Sequence, residues 1–190
     1  MEIYDQKNPE GYVTVNGMRF KTFLAKEQIE KRVNELAAEI RRDYEGRAPL
    51  FLCVLNGAFI FAADLFRAIG LNESNIAFVR YSSYSGTSTT GKVKQLIGLP
   101  DDVEGRDVVI IEDIVDTGLT AQRMISDLME RKPASVKFAT LLHKPASSRT
   151  GYVPDYVAFT IEPRFIIGYG LDLDGKVRNL PDIYVNIEDE

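Results

Sequence analysis

Hydrophobic residues fall at helical spacing over residues 26–44, where Ile29, Val33, Leu36, Ala37, Ile40 and Tyr44 form one stripe and charges fill the opposite side. The pattern predicts an amphipathic surface helix, stopped by Gly46 and Pro49. Residues 50–55 then run apolar without alternation, as a strand covered on both faces must, and 57–69 is helical in composition up to Gly70. The same order returns further on. Residues 107–112 read as a buried strand, and Met124, Ile125, Leu128 and Met129 stripe a helix that begins at Leu119 and ends before Pro133. Further strands are predicted at 76–81, 93–97, 136–142 and 156–161, with a short last one at 166–169 ahead of a polar tail around 172–179. Residues 82–91 are almost wholly Ser, Thr, Gly and Tyr and are predicted to be a loop. Strands alternating with helices imply an α/β fold with a central, mostly parallel sheet flanked by helices. Ligands of such sheets collect beyond the C-terminal strand ends, so the loops after Leu55, Glu112 and Leu142 are candidate binding loops.

Composition narrows the picture without changing it. A chain of 190 residues, 45% hydrophobic and 27% charged, is read as one folded domain over 1–190 and not as a disordered or low-complexity chain. Its apolar runs break well short of the ~20 residues needed to span a bilayer, and no basic-then-apolar leader opens it, so a cytoplasmic protein is expected. Cys53 is the only cysteine; it lies in an apolar run and reads as a small buried hydrophobe in a reducing compartment. The net charge is 23 − 28 = −5, so neither nucleic acid nor a membrane is expected as a partner, and an anionic ligand must be held by a local group of donors.

The chemistry concentrates in residues 108–120, VVIIEDIVDTGLT: an apolar strand, the acids Glu112 and Asp113, a two-residue spacer, then Asp116, Thr117, Gly118, Leu119 and Thr120 opening a helix. Gly118 lets the backbone approach an anion. The first N–H groups of the helix point at that anion, and two threonine hydroxyls can donate to it. A monophosphate suits this turn, and two carboxylates beside it suit sugar hydroxyls or a divalent cation, so a phosphorylated ribose satisfies both halves. The alternative is plainer: Asp116 or Thr117 caps the helix while the acids sit solvated at a strand end.

These residues resemble the signature of the type I phosphoribosyltransferases, and more narrowly the chain resembles the hypoxanthine/guanine phosphoribosyltransferases. VLNGAFIFAADL at 54–65 is similar to that family's pyrophosphate loop and RYSSYSGTSTTG at 80–91 to its lid, which includes Ser83 and Tyr84. HKPASSRTGYVPDYV at 143–157, RFIIGYGLDLD at 164–174 and Arg178 follow in the family's order. The resemblance implies a small hood built from the terminal segments. It also implies transfer of the 5-phosphoribosyl group from 5-phosphoribosyl-1-pyrophosphate to a 6-oxopurine, with Mg2+ accompanying the donor, and assembly as a homodimer or homotetramer. By the same resemblance Glu112 and Asp113 hold the ribose hydroxyls and residues 116–120 surround the 5-phosphate. Asp116 also accepts the purine N7 proton. Leu55, Asn56, Gly57 and Arg178 hold pyrophosphate, and Lys144, Phe165, Ile166 and Asp172 serve the purine. Glu112, Asp113 and Asp172 are the implied magnesium side chains.

Two positions depart from the family's habit. Asn56 stands where a lysine is frequent, and Leu119 where a polar or basic residue is frequent; backbone N–H groups can serve in both loops. The family's pyrophosphate loop can carry a cis bond without proline, which directs attention to residues 56–57. Taken singly, Lys144 reads as a surface cation and Phe165 as core, and residues 82–91 as an idle loop. His143, the only histidine, has no acid or nucleophile pattern around it and is assigned no chemistry. A competing class is a nucleotide-sensing regulator of this fold, which needs a DNA-binding segment or a basic face that this acidic chain lacks. A nicotinamide dehydrogenase is disfavoured because no G-x-G-x-x-G follows a strand.

Overall fold

The computed structural model describes residues 12–83 and 93–189. In chain order the elements are β1 (Tyr12–Val15), β2 (Met18–Leu24), α1 (Lys26–Asp43), β3 (Leu50–Val54), α2 (Phe59–Ile69), β4 (Asn75–Ser83), β5 (Val93–Ile97), β6 (Asp107–Val115), α3 (Leu119–Met129), β7 (Ser135–His143), β8 (Tyr156–Thr160), β9 (Ile166–Ile167) and β10 (Ile183–Asn186). Six strands form the central sheet in the order β5-β4-β3-β6-β7-β8, parallel except for β5 against β4.

The missing alternation in the central strands has a direct cause. Leu50, Leu52 and Val54 of β3 face α3, while Phe51 and Cys53 face α1 and α2, so both sides are buried. Helix α1 lacks a side-chain N-cap, worth ~1 kcal/mol, but buries Ile29, Val33, Leu36 and Ile40, each worth roughly 1.5–3 kcal/mol, so burial decides its formation. Its first N–H is instead held by a distant residue: the Lys26 N–H donates to Asp182 Oδ1 at 2.8 Å. Among the described residues no helix is long and apolar enough to cross a membrane.

A second sheet, β1-β2-β10-β9, is antiparallel throughout and forms the hood, with its own core of Val13, Phe20, Ile167, Leu173, Leu180 and Tyr184. This corrects the sequence expectation at three places. Strands β1 and β2 are not signalled by the pattern, and residues 166–169 are not the last strand. β9 stops at Ile167 because Gly168, Tyr169 and Gly170 all take positive φ, and beyond the polar turn around 172–179 the chain re-enters the hood as β10, buried at every position. β6 also runs three residues past the predicted 112, which places both acids inside the strand. Ser83 ends β4 and pairs with Val93. Tyr84, with most of the 82–91 lid, lies outside the described residues.

Candidate active site

The loops after β3, β6 and β7 leave the sheet at the same edge, as parallel neighbours must, and the hood turn 168–180 meets them there. Glu112 and Asp113 are partly buried side by side on β6. Desolvation first, and then the Asp113 charge, raises the Glu112 carboxyl well above the usual carboxylate range. Burial also raises Asp113, but the Ile114 N–H donating to its Oδ1 at 2.9 Å and the charge of Arg178 pull the other way.

Residues 116–118 form a bend between β6 and α3. Gly118 has φ +80° and is buried; a Cβ there would overlap the Thr150 hydroxyl, so this turn needs glycine for conformation and for space. The segment after β7 grips the turn from outside. Thr117 O accepts from the Arg149 N–H at 3.0 Å and the Thr150 hydroxyl at 3.4 Å, and Val115 O accepts from the Lys144 N–H at 2.9 Å. No acid occupies the first turn of α3, its N-cap Gly118 has no side chain, and the Thr117 hydroxyl accepts from the Leu119 N–H only at a long 3.5 Å, so the positive end is available to an anion. Asp116 and Leu119 are exposed, Thr117 and Thr120 half-buried.

Lys144 is 8% exposed, against the surface position its residue type suggests, and its Nζ donates to the Arg164 carbonyl at 2.8 Å. That bond uses one of three donors and holds the ammonium beside Phe165. Phe165 is 42% exposed, its ring 6.0 Å from that of Phe20 in the hood, so it is not a core residue. Ile166 is buried and paired with Val185. His143 is buried with Nε2 unpaired, and burial holds its imidazole below the usual histidine value.

In the loop after β3, the Leu55–Asn56 peptide is cis, and Asn56 is exposed. Arg178 donates to the Gly170 carbonyl and pairs with Asp172 Oδ1, both at 2.7 Å, while Asp172 Oδ2 accepts from the Gly175 N–H at 2.6 Å. Asp172 thus faces Arg178 and does not join Glu112 and Asp113. Among the described residues no three His, Cys, Asp or Glu side chains converge as a metal cage. The sequence reading omitted Thr150, which seats the 116–118 turn, and Gly170, which contacts Gly57. Neither residue type carries a signal of its own.

Residues 20–174 match the phosphoribosyl transferase domain family. The chain is 44% identical to the hypoxanthine-guanine-xanthine phosphoribosyltransferase of Tritrichomonas foetus, over 83% of this chain and 86% of that one. It is 41% identical to the hypoxanthine-guanine phosphoribosyltransferase of Bacillus subtilis, over 87% and 92% respectively. A crystal structure of a hypoxanthine-guanine phosphoribosyltransferase from Bacillus anthracis superposes with a TM-score of 0.83 at 42% identity, covering 88% of this chain and 98% of that one.

Proposed function

The chain belongs to the phosphoribosyltransferase family, among the hypoxanthine-guanine enzymes, and from that premise we propose that it salvages purines by moving the 5-phosphoribosyl group from 5-phosphoribosyl-1-pyrophosphate to hypoxanthine or guanine, forming IMP or GMP and pyrophosphate. The observation that carries this reading is the meeting, at one sheet edge, of a phosphate turn at Gly118, an acid pair at Glu112 and Asp113, and a buried ammonium at Lys144 beside a half-open Phe165 ring.

The residues divide the work by chemistry. The 116–120 turn and the α3 N-terminus hold the 5-phosphate, and Glu112 and Asp113 accept from the ribose hydroxyls. The backbone of 55–57 and Arg178 hold the diphosphate, so charge developing on the leaving group meets fixed donors. Lys144 donates to the 6-oxo group while Phe165 stacks on the base, and Asp116 accepts the N7 proton as the ring nitrogen bonds to C1. A raised acid pair is the kind of site a divalent cation or hydroxyl donors relieve, so the residues fit magnesium. Glu112 and Asp113 would supply its protein oxygens and the donor the rest, with Asp172 held apart on Arg178, and the ion would screen the diphosphate. A cytoplasmic, reducing setting suits the buried Cys53. Exposed Phe59 and Phe78 support a homodimer or homotetramer, to be tested by sedimentation.

The decisive assay offers donor, magnesium and each of hypoxanthine, guanine, xanthine and adenine, with nucleotide measured. Adenine puts an amino group where Lys144 needs an acceptor, and leaving a buried donor unpaired supports up to ~10⁴-fold discrimination. Comparable rates with adenine would refute the role of Lys144.

A further inference from the structure

The 55–57 loop is pinned between two partners with no side chain to spare. On one side a Cβ at Gly57 would lie inside the Asp113 carboxylate; on the other, a Cβ at Gly170 would lie inside the Gly57 carbonyl. Gly170 has φ +101°, so conformation and space both demand glycine. The same residue is bonded twice to Arg178. Its N–H donates to the Arg178 carbonyl at 2.9 Å and its carbonyl accepts from Arg178 Nη1 at 2.7 Å, while Arg178 Nη2 pairs with Asp172.

From this we propose that Gly170 is a positioning residue for the diphosphate: it sets the distance between the 55–57 backbone and Arg178, the two halves of the diphosphate subsite. The inference rests on the function proposed above. An added methyl group at Gly170 cannot be absorbed by Gly57, because Asp113 already blocks retreat, so the hood turn must move and carry Arg178 and Asp172 away from the loop. Phe165 and Ile166 are fastened separately, through the Asn186 N–H to the Phe165 carbonyl at 3.0 Å and through β9 against β10, so the base side stays in place.

Gly168 provides the control. It has φ +93°, and a Cβ there would overlap the Asp182 carbonyl and crowd Leu180 and Tyr184, all within the hood. Gly168→Ala and Gly170→Ala therefore impose similar backbone strain but push in different directions. The experiment measures KM for donor and for hypoxanthine in wild type and both variants, with Tm alongside. Gly170→Ala is expected to raise donor KM by about tenfold or more, within the ~10²-fold that a 1 Å misplacement can cost, and to leave base KM within about twofold. Gly168→Ala should lower Tm comparably with donor KM unchanged. An unchanged donor KM in Gly170→Ala, or an equal rise in both variants, overturns the proposal. If Gly170→Ala does not fold, ¹⁵N-glycine-labelled wild type titrated with magnesium pyrophosphate decides: Gly57 and Gly170 amides shifting together support it, and Gly57 shifting alone overturns it. A wild type that forms no nucleotide would sink the functional reading instead, so the two failures are distinguishable.

Discussion

Asp116 stands exposed between the 117–120 turn and Val115, whose carbonyl fastens Lys144, so in the proposed reaction it adjoins both the sugar phosphate and the base. Asp116→Asn keeps the shape and the backbone cradle. It should lower kcat by ~10²–10⁴, the usual worth of a general base, with donor affinity nearly unchanged in single-turnover and binding measurements. Equal losses in rate and donor binding would make Asp116 a scaffold of the turn. Glu112 behaves differently because its carboxyl is raised, mainly by desolvation. A carboxylate raised in the fold contributes stability below its unfolded value, ~4.3, and loses it as pH climbs through the folded value. At neutral pH and above, Glu112→Gln should therefore raise the Tm of the ligand-free protein while weakening donor binding; a lower Tm in calorimetry would contradict the electrostatic account. At this scale the sequence was only partly informative. The type and order of Glu112, Asp113 and Asp116 are visible in it, but the burial of Lys144 and the exposure of Phe165 depend on where Arg164 and Phe20 arrive from elsewhere in the chain.

The elements that pattern alone predicts are those with a well-defined buried surface: β3 and β6, covered on both faces, as unbroken apolar runs, and α1 and α3, covered on one side, as stripes. The hood escapes for a physical reason. β1 and β10 are four residues each, and β2 has only Phe20 fully buried, so neither length nor alternation rises above the background of ordinary loops. The 116–120 turn joins both kinds of knowledge, since its D-T-G-x-T spelling is legible but its dependence on Thr150 is not. Gly118→Ala would place a β-carbon at φ +80° against Thr150. The αL penalty alone is ~1–2 kcal/mol, corresponding to a fall in Tm of about 2–8 °C for a chain of this size, and donor KM should rise with it. Restoring space with Thr150→Ala in the same chain should recover part of the KM loss; no recovery would mean that the torsion, not the crowding, sets the turn.

For the molecule as a whole, ionisable groups buried in neutral form govern the alkaline limit. Burial, helped by Glu112 and Asp113, pushes the Cys53 thiol up to about 12, and burial also raises Tyr81, Tyr152, Tyr156 and Tyr169. Their stabilising contribution is complete below the unfolded values, ~8.5 for cysteine and ~10 for tyrosine, and is lost as pH rises, because the unfolded chain releases these protons first. Stability should decline from about pH 9 upward, by as much as ~1.4 kcal/mol per pH unit for each linked group. Cys53→Ala should flatten that slope between pH 9 and 11, whatever it does to Tm at pH 7. An unchanged slope in chemical denaturation would show that Cys53 is not linked.

The hood sheet unites β2, which leads into α1, with β10, and Phe20 sits opposite Asn186. On a ribosome, β2 emerges early and must wait for nearly the whole chain before its partner leaves the exit tunnel. The central sheet needs nothing beyond β8 and can assemble meanwhile, so the 116–120 turn and Lys144 are in place before the hood brings Phe165 and Arg178 to them. Competence for the complete reaction is therefore a late event in biosynthesis, fixed by topology and independent of how quickly the central layers condense.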